Sequence, residues 1–143
     1  MSRLVSFFLP LSLTLLTLTS RNIERAFLQN NAASLAALCE PEYAIQVSLP
    51  EPIGYSDVLS PGQLRVFFEQ LFARWPTFEF FIESPLPLFL PGDRWFIRAR
   101  WSFLEKKSLQ QYVFRIYFQV KMTERLRRRG IEWRIIEIRA EKI

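Results

Sequence analysis

The stretch RWFIRARWSFLEKKSLQQYVFRIYFQVK, residues 94–121, decides the fold. Apolar and polar residues alternate on both sides of Glu105-Lys106-Lys107-Ser108, the pattern of two strands folded back on each other at a tight turn. With Glu105 facing Ser108, Trp101 falls opposite Tyr112, Ala99 opposite Phe114, Ile97 opposite Ile116 and Trp95 opposite Phe118. One face of the hairpin is then apolar throughout, and Arg94, Arg98, Arg100, Arg115, Gln119 and Lys121 stand on the other. The same pairing sets Arg98 against Arg115. Two like charges there repel, so an acidic group is expected beside them, Glu79 or Glu83 from a neighbouring strand or a residue of a partner subunit.

Working outward from the hairpin, the segments before it read as helix and strand in turn. Ser60-Pro61-Gly62-Gln63 is a helix start: Ser caps, Pro takes the first helical position and Gln completes a capping box. Leu64, Phe67, Phe68, Leu71, Phe72 and Trp75 then recur at three- and four-residue spacing until Pro76 ends the helix. Thr77 to Ser84 alternates again, with Phe78, Phe80 and Ile82 against Thr77, Glu79 and Glu83. Further upstream, Tyr43 to Leu49 alternates as a strand ended by Pro50 and Pro52, and Gly54 to Asp57 reads as a loop. A helix is expected from Arg21, capped by Ser20, with Ile23 and Phe27 opening its apolar face. Asn30-Asn31 breaks it, and Asn31 caps a second piece, Ala32 to Cys39. Downstream of the hairpin, a turn at Glu124–Gly130 leads into a last strand, Ile131 to Ala140. There Ile131, Trp133 and Ile135 face one way and Ile136, Ile138 and Ala140 the other, which a β-bulge at Ile135-Ile136 reconciles.

Residues 1–20 stand apart. A single Arg precedes an apolar run from Leu4 to Leu18 that Arg21 closes, too short for the ~20 residues a spanning helix needs and laid out as an export signal. The expectation is an exported protein, periplasmic or extracellular, whose segment 1–20 is a signal peptide or an N-terminal anchor that adds nothing to the core, followed by one domain over 21–143; the alternative, a buried first helix of the domain, is disfavoured because the run shows no helical face and Pro10 interrupts it. A chain of 143 residues, half of them apolar, holds one core and not two.

Composition narrows the chemistry. Fourteen Phe and four Trp beside four Gly suit a curved sheet around an aromatic interior. Histidine is absent, which excludes His-based hydrolase triads and His metal sites. The one cysteine, Cys39, can form neither an intramolecular disulfide nor a thiolate metal cluster, and its apolar neighbours Ala36, Ala37 and Leu38 point to a buried role. No catalytic signature, cofactor motif or metal-ligand spacing occurs, so no catalytic residue, cofactor or metal is assigned. Glu79 and Glu83, two strand positions apart, are the carboxylate pair that could do acid-base work, against the plainer reading of a solvated face. The run Arg125, Arg127, Arg128 and Arg129 is a cluster for contact with anions, either a solvated turn or a site for an anionic membrane or envelope polymer; nucleic acid is not the expected partner of an exported protein.

The order helix, strand, helix and four antiparallel strands ending in Trp133-Arg134-Ile135 resembles the nuclear transport factor 2-like superfamily. Within it the chain looks like a bacterial exported family of unknown function. The resemblance is carried by the Asn30-Asn31-Ala32 break, the Gly54-Tyr55-Ser56 loop, the Leu64–Trp75 helix, the hairpin and Trp133–Arg139. It implies an α+β cone, a strongly bent antiparallel sheet wrapped around N-terminal helices, with a pocket that Tyr112, Trp101, Phe114 and Tyr55 would line for a small apolar ligand. It also implies a homodimer through the sheet. The superfamily holds ketosteroid isomerase and scytalone dehydratase beside many binding domains, so fold does not give function. An isomerase site needs a pocket Asp base and a Tyr with a protonated Asp. Here the two aspartates, Asp57 and Asp93, fall in expected loops, and the dehydratase type would want histidines. The expected function is therefore a non-catalytic ligand-binding or protein-interaction module; the rival is a small lyase or isomerase using Glu79, Glu83 or Tyr112.

Overall fold

A computed structural model of the chain describes residues 2–83, 92–125 and 130–143. Among these residues three helices and six strands follow one another as α1 (Ser2–Leu28), α2 (Ala32–Ala37), β1 (Ile45–Leu49), β2 (Tyr55–Leu59), α3 (Pro61–Arg74), β3 (Thr77–Ile82), β4 (Arg94–Leu104), β5 (Gln111–Arg125) and β6 (Gly130–Lys142). The strands form one curled, unclosed sheet in the order β2-β1-β6-β5-β4-β3. Every neighbouring pair is antiparallel except β1 and β6. This is the α+β cone.

The helices form where their ends are chemically closed. Ser60 accepts from the Gln63 backbone N–H at 3.2 Å, and the Gln63 side chain accepts from the Ser60 N–H at 3.0 Å, the reciprocal capping box with Pro61 in the first turn. Asn30 and Asn31 divide α1 from α2 by different means. Asn30 takes a left-handed backbone conformation, φ 50°, which Asn tolerates better than most residues, while Asn31 accepts from the Ser34 N–H to cap α2. The Asn30 side chain also accepts from the Thr77 N–H at 2.8 Å, and Thr77 Oγ1 accepts from the Trp101 indole at 3.1 Å. The corner between the first two helices is thereby tied to β3 and β4.

α1 differs from expectation at its start. It runs through Ser20, whose hydroxyl donates to the Leu16 carbonyl instead of capping. Leu16, Thr19, Ile23, Ala26 and Phe27 are buried along one stripe, so residues before Arg21 contribute to the core. That stripe is masked in the sequence by the apolar residues around it, Leu11 and Leu18 among them, which stay exposed. Among the described residues no helix is long and apolar enough to cross a membrane.

The hairpin keeps its expected faces in a register shifted by two. Trp101 pairs with Phe114, Ala99 with Ile116, Ile97 with Phe118 and Phe103 with Tyr112, because the turn is longer: the Glu105 N–H donates to Gln110, and Leu109 is left-handed at φ 60°. An even shift preserves which side chains point inward. The bulge expected at Ile135-Ile136 is present: Gln119 pairs with Glu137 but Val120 with Ile135, and Ile135 and Ile138 are both buried. A second bulge between Thr77 and Glu79 turns Phe78 out to solvent, against the expectation that it faces inward. Tyr43 is exposed ahead of β1, and Tyr55–Leu59, expected in part as loop, pairs with β1 as the edge strand.

Candidate functional site

Inside the cone, Phe27 of α1 is the hub of a ring cluster. It touches Phe68 and Phe72 from α3, Phe80 from β3, Trp101 from β4 and Phe118 from β5, with centroids 4.5 to 6.0 Å apart in mostly edge-on geometry. Trp101, Phe103 and Phe114 continue the cluster toward the turn. Such pairs add about 0.5–1.5 kcal/mol each beyond the area they bury. The buried polar residues among those described are Thr19 and Ser102, and no carboxylate shares the interior.

Of the four residues expected around a pocket, Trp101, Phe114 and Tyr112 lie together on the hairpin and Tyr55 lies apart on β2. Trp101 and Phe114 are fully buried in the cluster, and Tyr112 stacks on Phe103 at the end of the hairpin. Tyr112 and Phe114 do border an open groove of about 600 Å³ with Glu51, Pro52, Gln111, Lys142 and Ile143. Tyr55 lies on β2, stacked on Phe67 at 4.1 Å, and its hydroxyl pKa is raised by burial and then by the Asp57 carboxylate. Among the described residues, packed rings with Phe27 of α1 at their centre occupy the space between the helices and the sheet.

Glu79 and Glu83 lie on the outer face of the sheet, not in the cone. Phe80 and Ile82 pair with Trp101 and Ala99 on the inner side, so alternation turns the two glutamates outward. There the expected like-charge pair is Arg100 with Arg115, the shifted register having moved Arg98 opposite Tyr117. Glu83 does relieve it: its Oε1 lies 3.8 Å from Arg115 Nε, and Glu141 lies 3.9 Å from Arg115 on the other side. Tyr117 donates to Glu141 at 2.9 Å, which raises the tyrosine pKa, and the Arg139 guanidinium lies 4.5 Å over its ring. Across four strands the outer rows read Phe81, Arg100, Arg115, Glu141, then Arg98, Tyr117, Arg139, then Phe96, Gln119, Glu137. Phe81 and Phe96 are exposed. Sequence reasoning assigned the arginines to this face but passed over these two phenylalanines, although the period of two already placed Phe96 among the polar positions.

Where α1 meets β6, Arg134 donates to Glu132 at 2.6 Å and to the carbonyl of Ala37, which closes the end of α2. Cys39 is buried there, its Sγ against the Leu35 carbonyl at 3.7 Å, and burial pushes its thiol up to about 12. It is an inert core residue, as expected. Among the described residues no group of three or more metal-ligating side chains occurs. Arg127, Arg128 and Arg129 and the Pro85–Pro91 connection lie outside the described residues, and Arg125 is the last residue of β5.

No protein-family model matches the chain, and no curated protein matches it. Solved structures do. A ketosteroid isomerase-like protein from Erwinia carotovora atroseptica superposes with a TM-score of 0.69 at 13% identity, over 92% of this chain and 95% of that one. A DUF4783 family protein from Bacteroides ovatus gives 0.62 at 13% identity, over 85% and 93%. A nuclear transport factor 2-like protein of unknown function in nutrient uptake from Rhodospirillum rubrum gives 0.61 at 10% identity, over 89% and 97%. The fold is nuclear transport factor 2-like; at these identities the likeness carries no activity with it.

Proposed function

We propose that this nuclear transport factor 2-like cone is a non-catalytic interaction module that acts outside the cytoplasm, two copies of the chain meeting through the outer faces of their sheets. The observation that carries this reading is how polar groups divide between the two faces of one sheet. Inside, aromatic rings fill the space, and no carboxylate among the described residues is buried with them. Outside, Arg94, Arg100, Glu79 and Glu137 have no ion-pair partner among the described residues, and the exposed rings of Phe81 and Phe96 lie among them. A face that carries unpaired groups of both signs can satisfy itself across a two-fold axis, where each copy offers the other the charges it lacks. Aromatic and Arg side chains are also the types enriched at interface cores. The composition of the N-terminal run supports export with the segment retained, since Leu16 and Thr19 belong to the core. A lyase or isomerase would need its base facing the interior, whereas Glu79 and Glu83 face outward.

Sedimentation velocity on the full chain tests the pairing. The wild type is expected to sediment as a dimer at micromolar concentration and the Phe81→Ser, Phe96→Ser double variant as a monomer with an almost unchanged melting temperature. A wild type that remains monomeric at 100-fold higher concentration would overturn the pairing.

A further inference from the structure

Between the first helix and the last strand lies a half-open cavity of about 210 Å³, distinct from both the ring cluster and the sheet face. Leu15 and Leu18 from α1, Leu38 beyond α2 and Trp133 from β6 form its apolar walls; Thr19, Asn22, Glu132 and Arg134 supply its polar atoms. These polar groups are not equivalent. The Thr19 hydroxyl donates to the Leu15 carbonyl at 3.0 Å. Glu132 and Arg134 neutralise each other at 2.6 Å, and Arg134 is held further by Ala37. Asn22 alone of the four makes no hydrogen bond or ion pair among the described residues, so its amide keeps both donors and its acceptor for something else.

We infer that this cavity binds a small neutral amphiphile, an alkyl amide or alcohol whose head pairs with Asn22 and whose tail lies on Leu15, Leu18, Leu38 and Trp133. The volume exceeds the ~150 Å³ of a cavity that takes up benzene, which leaves room for a tail of about six carbons. A charged head is disfavoured, because the one cation and the one anion lining the cavity already hold each other and a further ion would be desolvated without a counterion. An amide head matches Asn22 in both directions, donor to acceptor and acceptor to donor. The site requires residues 15–19, and therefore belongs to the chain that keeps its first helix.

The test uses the full chain labelled with nitrogen-15 and four probes of equal length: hexanamide, 1-hexanol, hexanoate and hexylammonium. Hexanamide at millimolar concentration is expected to shift the Asn22 side-chain amide and the Trp133 indole signals, hexanol to do so more weakly, and both ions to bind at least tenfold less tightly than hexanamide. Asn22→Leu should weaken hexanamide at least fivefold with the spectrum elsewhere unchanged, and Leu18→Trp should fill the cavity and abolish the shifts. Absence of shifts at these two residues, ions that bind as well as the amide, or an Asn22→Leu chain that binds hexanamide as the wild type does would each overturn the inference. If either variant fails to fold, the four-probe comparison on the wild type decides alone.

Discussion

The two faces of the β4–β5 hairpin are made from the same backbone and differ in what their side chains have left to do. On the inner face Trp101, Phe103 and Phe114 are buried against one another, and Trp101 and Phe118 are buried against Phe27 of α1. On the outer face Arg115 shares two carboxylates at 3.8 and 3.9 Å, Arg100 has none among the described residues, and Phe96 is open to solvent. The difference teaches where function can reside on this cone: a face that is already satisfied holds the fold, and a face with uncommitted charge and exposed rings is free to meet something else.

The comparison makes its largest demand on the inner face. Trp101→Ala should cost ~3–5 kcal/mol, the usual loss when a large aromatic leaves a core. The indole has no exposure, touches Phe27, Phe103 and Phe114, and donates to Thr77, which would lose its partner. Urea unfolding followed by far-UV circular dichroism measures it. A loss below ~1 kcal/mol would mean that the interior is loose enough to hold a ligand, and the contrast between the faces would collapse.

That contrast was largely legible in the residues, because it depends on parity and not on register. The observed pairing differs by two positions from the one the Lys106-Lys107 turn suggests, yet every inward residue of the hairpin stays inward. The bulge at Ile135-Ile136 was legible too, since two apolar patterns on opposite phases must be joined somewhere. The matching bulge at Thr77 left no such trace. Phe78, Phe80 and Ile82 alternate cleanly, and only the pairing with Ser102 and Phe103 shows that Phe78 is turned out. The edge strand β2 is hidden in the sequence because Ser56-Asp57-Val58 is exposed and shows no inward alternation, its ladder resting on backbone bonds to β1. The α1 stripe at Leu16 and Thr19 was hidden for the opposite reason, apolar residues on every side. The seam at Asn22 and Trp133 could not be found from spacing at all, since it joins residues more than a hundred positions apart.

A smaller effect sharpens the inner side of the comparison through pH. Cys39 is buried beside Ile135, and its thiol is pushed from 9.0 to about 12, burial being the main cause and the Arg134 charge opposing it in part. The folded state therefore keeps the proton above pH 9, where the unfolded chain releases it. The stabilisation is complete below pH 9 and declines as pH rises from there toward 12, at up to ~1.4 kcal/mol per unit. Tyrosines and lysines titrate in the same range, so the measurement is a difference: from pH 9 to 11 the wild type should lose up to ~2.5 kcal/mol more than Cys39→Ala. Parallel curves for the two proteins would show a thiol that reaches water, and with it a core less closed at its β6 side than the inner face requires.

The smallest expected effect is on the outer face. Glu83 Oε1 and Arg115 Nε are shielded from solvent as atoms, yet 3.8 Å apart and without hydrogen bonds, on side chains 24% and 35% exposed. Atom by atom this resembles a buried pair, whose rupture costs several kcal/mol; side chain by side chain it resembles a surface pair worth less than ~1 kcal/mol. Exposure decides between them. A gap beyond hydrogen-bond length and partly wet side chains leave only a screened attraction, which Glu141 can replace from the other flank at 3.9 Å. Glu83→Gln is therefore expected to cost under ~1 kcal/mol in 0.1 M salt and nothing measurable in 1 M, where the screening length falls to ~3 Å. A loss of ~3 kcal/mol that survives high salt would identify a desolvated network on the outer face. That face would then be a second core, already satisfied, with nothing left over for a partner.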